Sequence, residues 1–381
     1  MKKSLAILAT LLICTPITVT ASEGDILIIT VQKTPPMPTV DKSTPENMPV
    51  VVFEEGTTTE PPILTLEEAI SVSIARSDDL EINKRKEKSE NLNLEEAWRG
   101  FNGDLSNQYD YKLVQFNLDN LDKEEEIIVD KIKYDLSKLF DDILIAEKER
   151  HLQIKTIDQT EKDILKAKIM EEAGMASELQ LSSLQLQLEN EQLSLKQLED
   201  DIDEKFEDIC NMMEIEPQRF VLEKPKIVYE EYEHSEGAEH FLERKADTSL
   251  SVWQAEQNVD LAEIRPVQGL DYDYYAVMRK EESIELAEDN IDLAKEAMVN
   301  TLDQYYLNVK QIEDSYSSMT ENIDILKNEM LSNKIKLDAG TISKLDFAKS
   351  ELQYEQAEFE LEKVIKDHYY LKLLLDNTDL I

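Results

Sequence analysis

Cysteine is almost missing from this chain of 381 residues, with only Cys14 and Cys210. Cys14 falls in the apolar N-terminal run. Once that run is removed Cys210 stands alone, no internal disulfide is possible, and the fold must hold by packing. Cys210 lies within a helical pattern and reads as a buried packing residue. Histidine is nearly as scarce, at four. His234 and His240 share a linker, His151 and His368 lie in helical segments, and no Cys joins any of them at ligand spacing, so no metal site is expected. Carboxylate pairs such as Glu67/Glu68 and Asp141/Asp142 have no His or Cys companion either. No glycine-rich phosphate loop and no nucleophile motif occurs. The chain is read as a non-enzyme without a cofactor. Beyond Leu5–Ile13, no apolar stretch approaches the roughly 20 residues of a membrane-spanning helix. Basic residues are in deficit, 41 against 82 acidic, for a net charge of -41. Such a surface repels phosphate backbones, which excludes nucleic acid as a partner.

What remains suits long helices. Apolar residues make up 41% and charged residues 32%, with only eight glycines to weaken a helix. The N-terminus reads as an export signal over residues 1–21. Lys2 and Lys3 precede the apolar run Leu5–Ile13, and small residues lead to a cleavage site after Ala21. The alternative is acylation at Cys14, against which Ile13 stands where a small residue is wanted. Residues 22–63 carry Pro35, Pro36, Pro38, Pro45, Pro49, Pro61 and Pro62 with threonine-rich runs between them. Proline at that density cannot propagate a helix, so this segment reads as an extended tether. Ile26–Val31 and Val50–Phe53 are its candidates for edge strands.

A first helical repeat is expected over 64–216, an irregular linker over 217–234, and a second repeat over 235–381. Thr65 caps Leu66-Glu67-Glu68-Ala69, whose carboxylates complement the helix dipole. The pattern is interrupted near Ser77–Asp79 and breaks over 99–121, where Tyr109, Tyr111 and Leu113 alternate as in a strand. A long helix follows to Gly174 and a second runs from Ser177 to Met213. The linker's likeliest strand is Ile227–Tyr229. In the second repeat, helical sequence over 235–264 gives way at Pro266 and Gly269. A helix of about 280–337 then runs to Gly340, and the last one covers 343–376. On the longest helix, apolar or small residues recur from Ile284 through Ala287, Ile291, Ala294 and Met298 to Met330 in steps of three and four. That is a heptad seam, which demands another long helix beside it. Glu172-Ala-Gly-Met-Ala-Ser-Glu-Leu-Gln-Leu181 aligns with Asp338-Ala-Gly-Thr-Ile-Ser-Lys-Leu-Asp-Phe347. In each, Gly closes one helix and Ser opens the next, so the duplication is of a helical hairpin. The fold class is all-α and elongated: two repeats of long antiparallel coiled-coil hairpins.

The run Leu64-Thr-Leu-Glu-Glu-Ala-Ile-Ser-Val-Ser-Ile-Ala-Arg-Ser-Asp-Asp-Leu80 resembles the opening helix of the TolC-like outer-membrane efflux proteins. Ala173-Gly-Met-Ala-Ser-Glu-Leu179 and Ala339-Gly-Thr-Ile-Ser-Lys-Leu-Asp346 resemble the turns between that family's long helices. The resemblance covers most of 64–376 in order and spacing. It implies an α-barrel protomer, a homotrimer, and an efflux or export conduit working with a periplasmic membrane-fusion adaptor and an ABC-type or other pump. It marks Gly174, Ser177, Gly340, Thr341 and Ser343 as adaptor-docking residues and Asp346 as a tunnel constriction, with Lys349 standing where a second acidic position is usual. It implies a place in the cell envelope, at the outer membrane. The breaks at 99–121 and 265–279 are short for membrane strands, so the membrane β-barrel is expected to be lacking. The competing reading is a secreted, acidic coiled-coil structural protein of the cell surface with no channel. The leader predicts that the exported protein begins at Ser22. Intact-mass spectrometry checks this, and a species retained from Cys14 with added acyl mass would overturn it.

Overall fold

The computed structural model describes residues 17–21, 27–31, 61–100, 105–233, 237–266 and 274–381. Cys14, the leader core, Val50–Phe53, His234 and most of the proline-rich segment lie outside the described residues. Near the N-terminus β1 (Ile17–Ala21) pairs antiparallel with β2 (Leu27–Val31), Thr18 opposite Thr30 and Thr20 opposite Ile28. Ile26–Val31 therefore does supply a strand, and its partner is Ile17–Ala21. After β3 (Ile63–Thr65) come α1 (Leu66–Arg76), α2 (Asp78–Gly100), α3 (Leu105–Glu172) and α4 (Glu178–Met212). The inter-repeat linker holds β4 (Val221–Glu223), and α5 (Ala238–Ala246), α6 (Leu250–Ile264), α7 (Tyr274–Asp338) and α8 (Lys344–Asp376) follow. The architecture is helical, in two hairpins of long helices.

Two sequence expectations are corrected. Residues 109–118 form no strand, because α3 already begins at Leu105. Tyr111 and Leu121 are buried and Val114 and Leu118 half-buried, a spacing that belongs to a helix face and overrides the short Tyr109–Leu113 alternation. The linker strand is Val221–Glu223, which pairs parallel with β3 by setting Leu64 opposite Leu222. Residues 227–229 join no sheet.

The chain divides into two compact units. The first includes residues 82–100, 105–124, 254–266 and 274–291. In it Asn83 Nδ2 donates to the carbonyl of Leu121 at 2.8 Å, and Gln254 Nε2 to Asn120 Oδ1 at 2.6 Å. Leu94, Tyr111, Leu121, Leu261 and Ala276 are its buried apolar side chains.

The second unit includes residues 61–81, 125–233, 237–253 and 292–381. One core sits where α1 and β4 meet α3 and α4: Leu64, Leu136, Phe140, Ile202, Ile209 and Met213 are fully buried there, with Cys210 among them. Burying a side chain such as Phe140 contributes roughly 1.5–3 kcal/mol. A second core gathers Phe241, Leu242 and Ala246 of α5 with Leu302 and Val309 of α7, Leu375 of α8 and Tyr232 of the linker. The heptad positions of α7 within this unit, from Asp292 on, are half-buried or buried from Ala294 to Met330. The seam does lie against the molecule.

The two repeats are joined along α3 and α8. Asp142 pairs with Lys366 at 2.5 Å, Lys148 with Glu362 at 2.5 Å, Lys155 with Glu355 at 2.7 Å and Asp163 with Lys349 at 2.8 Å. Ascending one helix descends the other, so the pair is antiparallel, with α3 supplying the carboxylate at both ends of the ladder and the lysine at the two middle pairs. Each partly exposed pair contributes at most about 1 kcal/mol, and other registers separate the carboxylates at the ladder's ends from their lysines.

The linker lies on these helices through side chains. Lys224 donates to the Ser137 carbonyl at 2.9 Å, to Tyr370 Oη at 2.9 Å and to Asp141. Farther on, the Tyr229 ring stacks on Tyr316 with centroids 3.6 Å apart. Glu313, itself buried, accepts from Tyr232 N–H at 2.7 Å and from Lys310 at 2.6 Å, while Lys310 also donates to the Tyr232 carbonyl. His368, 2% exposed, meets the same Glu313 carboxylate at 3.1 Å. Burial pushes the His368 imidazole below its ordinary value, although Glu313 opposes the shift. Burial alone would raise the Glu313 carboxyl. Lys310, the Tyr232 N–H and His368 instead hold it below the usual carboxylate range. Both folded values are depressed, so the unfolded chain takes up protons first on acidification. The stability these groups contribute is lost as pH falls, from about 6.5 downward for the histidine and below about 4.3 for the glutamate. The melting temperature is therefore expected to drop between pH 7.5 and 5.5, and to drop less in His368→Gln. Equal drops in the two proteins would show that His368 binds its proton alike in folded and unfolded states.

Candidate functional site

Each long hairpin closes on the same backbone device. At the end of α3, Gly174 has φ +70°, its N–H donates to the Glu171 carbonyl at 2.8 Å, and Met175 N–H reaches back to Met170 at 2.7 Å. At the end of α7, Gly340 has φ +72°, its N–H donates to Leu337 at 2.9 Å, and Thr341 N–H reaches Lys336 at 2.9 Å. These paired bonds satisfy the last carbonyls of a helix, and the positive φ is what glycine supplies without steric penalty. No atom lies within 4 Å of a Cβ built on either glycine. The requirement is conformational, not one of space.

Serine then opens each return helix. Ser177 Oγ accepts from Gln180 N–H at 3.3 Å, and Ser343 Oγ accepts from Asp346 N–H at 3.1 Å. In the second turn Asp346 completes a capping box, accepting from Ser343 Oγ at 2.7 Å and from Ser343 N–H at 3.4 Å. The Ser343 hydroxyl and N–H hold its carboxyl below the ordinary aspartate value. Thr341 Oγ1 donates to the Lys336 carbonyl at 2.9 Å and ties the turn to α7.

The Asp163–Lys349 pair sets the two turns at one end of the same unit, because each partner lies a few turns from its own glycine. Gly174, Ser177, Gly340, Thr341, Ser343 and Asp346 are thus brought to a common tip. Lys349, which follows Asp346, is spent on α3. The tip is also apolar where the turn motifs gave no hint of it. Met175 is 72% exposed and Leu179 80%, with Ile169 and Ile335 exposed nearby on their helices. The interlocked Lys224–Asp141–Tyr370 and Glu313–His368–Tyr232 groups escaped the sequence reading as well, since their members are distant along the chain. Among the described residues no cluster of three potential metal ligands occurs.

No protein-family model matches the sequence, and no curated protein does. Solved structures do match. The chain is similar to CusC, a protein studied for folding and transmembrane channel formation, at TM-score 0.56 and 10% identity over 83% of this chain and 91% of that one. It is similar to the outer membrane protein VceC of Vibrio cholerae at TM-score 0.55 and 10% identity, over 81% and 95% of the two chains. The Campylobacter jejuni CmeC outer membrane channel matches at TM-score 0.52 and 10% identity, over 83% and 85%. The fold is therefore that of the TolC-like outer-membrane channels.

At Gly174 and Gly340 a Cβ meets only the backbone penalty. Gly340→Ala is expected to lower stability by about 1 kcal/mol, and Ser343→Ala by about 1 kcal/mol through loss of the cap. Urea denaturation checks both, and a neutral Gly340→Ala would mean the turn has relaxed to another form.

Proposed function

We propose that this chain is one subunit of a homotrimeric, TolC-like efflux or export conduit of the cell envelope. The observation that carries the reading is the pair of long hairpins whose matching glycine–serine turns end at one tip, in a fold shared with outer-membrane channels. Three copies side by side would enclose a helical wall. The common tip, with Gly174, Ser177, Gly340, Thr341 and Ser343, would receive a periplasmic adaptor, and an ABC-type or other pump would drive transport through it. Exposed Met175 and Leu179 add apolar surface for such docking. Asp346 of each copy would place a carboxylate at the mouth, held by its serine cap at a depressed pKa and so ionised across neutral pH.

The conduit would reach the membrane without strands at the helix breaks. Only residues 101–104 separate α2 from α3, and only 265–273 separate α6 from α7. A membrane strand takes roughly 9–11 residues, and each break would need two. Among the described residues, no helix is long and apolar enough to cross a membrane. The competing reading, a solid acidic coiled-coil protein of the cell surface, predicts no opening. Light scattering and negative-stain microscopy of the detergent-free mature protein separate the two. The conduit reading expects three times the subunit mass and rings with a central opening. A monomer or a solid rod would end it.

A further inference from the structure

Within the second unit, the face of the α3–α8 pair that the linker crosses is not filled by side chains. A cavity of about 900 Å³ opens there, along α3 from Asp141 to Lys155 and along α8 from Glu355 to Lys366. Residues 224–227 of the linker bound one end, and Ile323 of α7 adds to its side. At ~1.5 Å per residue, the stretch of α3 that lines it is about 21 Å long. The floor of this groove is apolar. Leu144, Ile145, Leu152 and Ile365 are half-buried along it, and Phe359 is buried. Packed interiors leave few voids larger than a water molecule, and an apolar one of this size falls in the range of small-molecule sites.

The rim of the groove is charged but almost fully paired. It carries five lysines and five carboxylates, although the whole chain has two acidic residues for each basic one. The groove is therefore locally neutral within an acidic molecule. Lys148 answers Glu362, Lys155 answers Glu355, and Arg150 answers Glu147. Lys224 is spent on Asp141 and Lys366 on Asp142, while Glu358 accepts from the Tyr354 hydroxyl. That leaves Lys226. It is exposed at the linker end and, among the described residues, is the only lysine or carboxylate of the lining whose side chain has no ionic or hydrogen-bonding partner.

We infer that this groove binds a single-chain fatty carboxylate, its hydrocarbon tail laid along α3 and α8 and its head paired with Lys226. The site is built by one copy of the chain and goes beyond the conduit reading. Length agrees. One acyl chain spans half of a ~30 Å hydrocarbon core, about 15 Å, which leaves room in the groove for a head group. Charge agrees as well. One free ammonium balances one carboxylate, whereas a phosphate monoester brings a charge of about −1.5 to −2. A lipophilic cation finds no carboxylate on the rim that is not already answered.

Equilibrium dialysis of labelled hexadecanoate against the mature protein, below the concentration at which the probe aggregates, tests this. One molecule per chain is expected, with binding weakened roughly tenfold for each two methylenes removed from the tail. Lys226→Gln, which alters an exposed side chain, should weaken hexadecanoate about fivefold and leave hexadecanol unchanged. A photoactivatable hexadecanoate should label α3 between 144 and 152 and α8 between 359 and 365, read by mass spectrometry of the digested protein. No saturable binding, or labelling confined to other helices, overturns the site. Tighter binding of hexadecyltrimethylammonium than of hexadecanoate overturns the ligand class. Equal affinity of Lys226→Gln and the unaltered protein for hexadecanoate overturns the assignment of the head group.

Discussion

The contact between α3 and α8 is the one on which the rest depends. Each belongs to a different repeat, and each is already folded back on its own partner through a glycine turn. Only when these two lie together do the hairpins form a single unit. The ladder from Asp142–Lys366 to Asp163–Lys349 sets how they lie. Its individual pairs are partly exposed and weak. Together they still favour this register, because sliding one helix by a heptad takes Lys366 from Asp142 and Lys349 from Asp163 and sets uncharged residues opposite both carboxylates. The glycine turns then fall at one end as a consequence, and so do the candidate docking residues.

A second constraint comes from the linker between the repeats. It makes only a three-residue strand, and elsewhere side chains hold its backbone, with Glu313 and Lys310 on Tyr232 and Lys372 on the Glu230 carbonyl. Lys224 enters a nearly closed site with Asp141, Ser137 and Tyr370, and burial lowers its amine while Asp141 opposes that. The Tyr370 hydroxyl is pushed above its usual value, first by burial and then by the bond to Asp141. Tyr232 shows the same effect against Asp376. Buried polar groups of this kind add little net stability when paired and exact a large penalty when half-paired. Their effect is to make the linker fit in one place only, across the crossing of the hairpins.

The acidic surface fits the same picture. A net charge of -41 disfavours compaction, and long helices spread that charge over a large area. Attraction has to come from apolar stripes, and the seams of α4 and α7 show them in two places. One stripe faces the chain itself. The other, on Leu186 and Leu193 and on Ile325 and Ile335, faces outward. Large exposed apolar surface of regular spacing on a long helix signals association.

The sequence alone determined the helical class, the duplication and the two turns. These rest on local chemistry: a three-and-four apolar rhythm, a glycine that takes positive φ, and a serine three residues later whose hydroxyl caps the next helix. Gly174, Gly340, Ser177 and Ser343 were legible for that reason. Local rhythm misled at Tyr109–Leu113, where a short alternation was outweighed by the longer helical period through Tyr111 and Leu121. It misled again at Ile227–Tyr229, since pairing with β3 falls to Val221–Glu223. Tertiary structure alone decided that Lys349 answers Asp163, that His368 meets Glu313 at the linker, and which leucines stay outside. Those outcomes join residues from opposite halves of the chain. Which of two equally apolar helix faces is buried depends on what lies beside it in space.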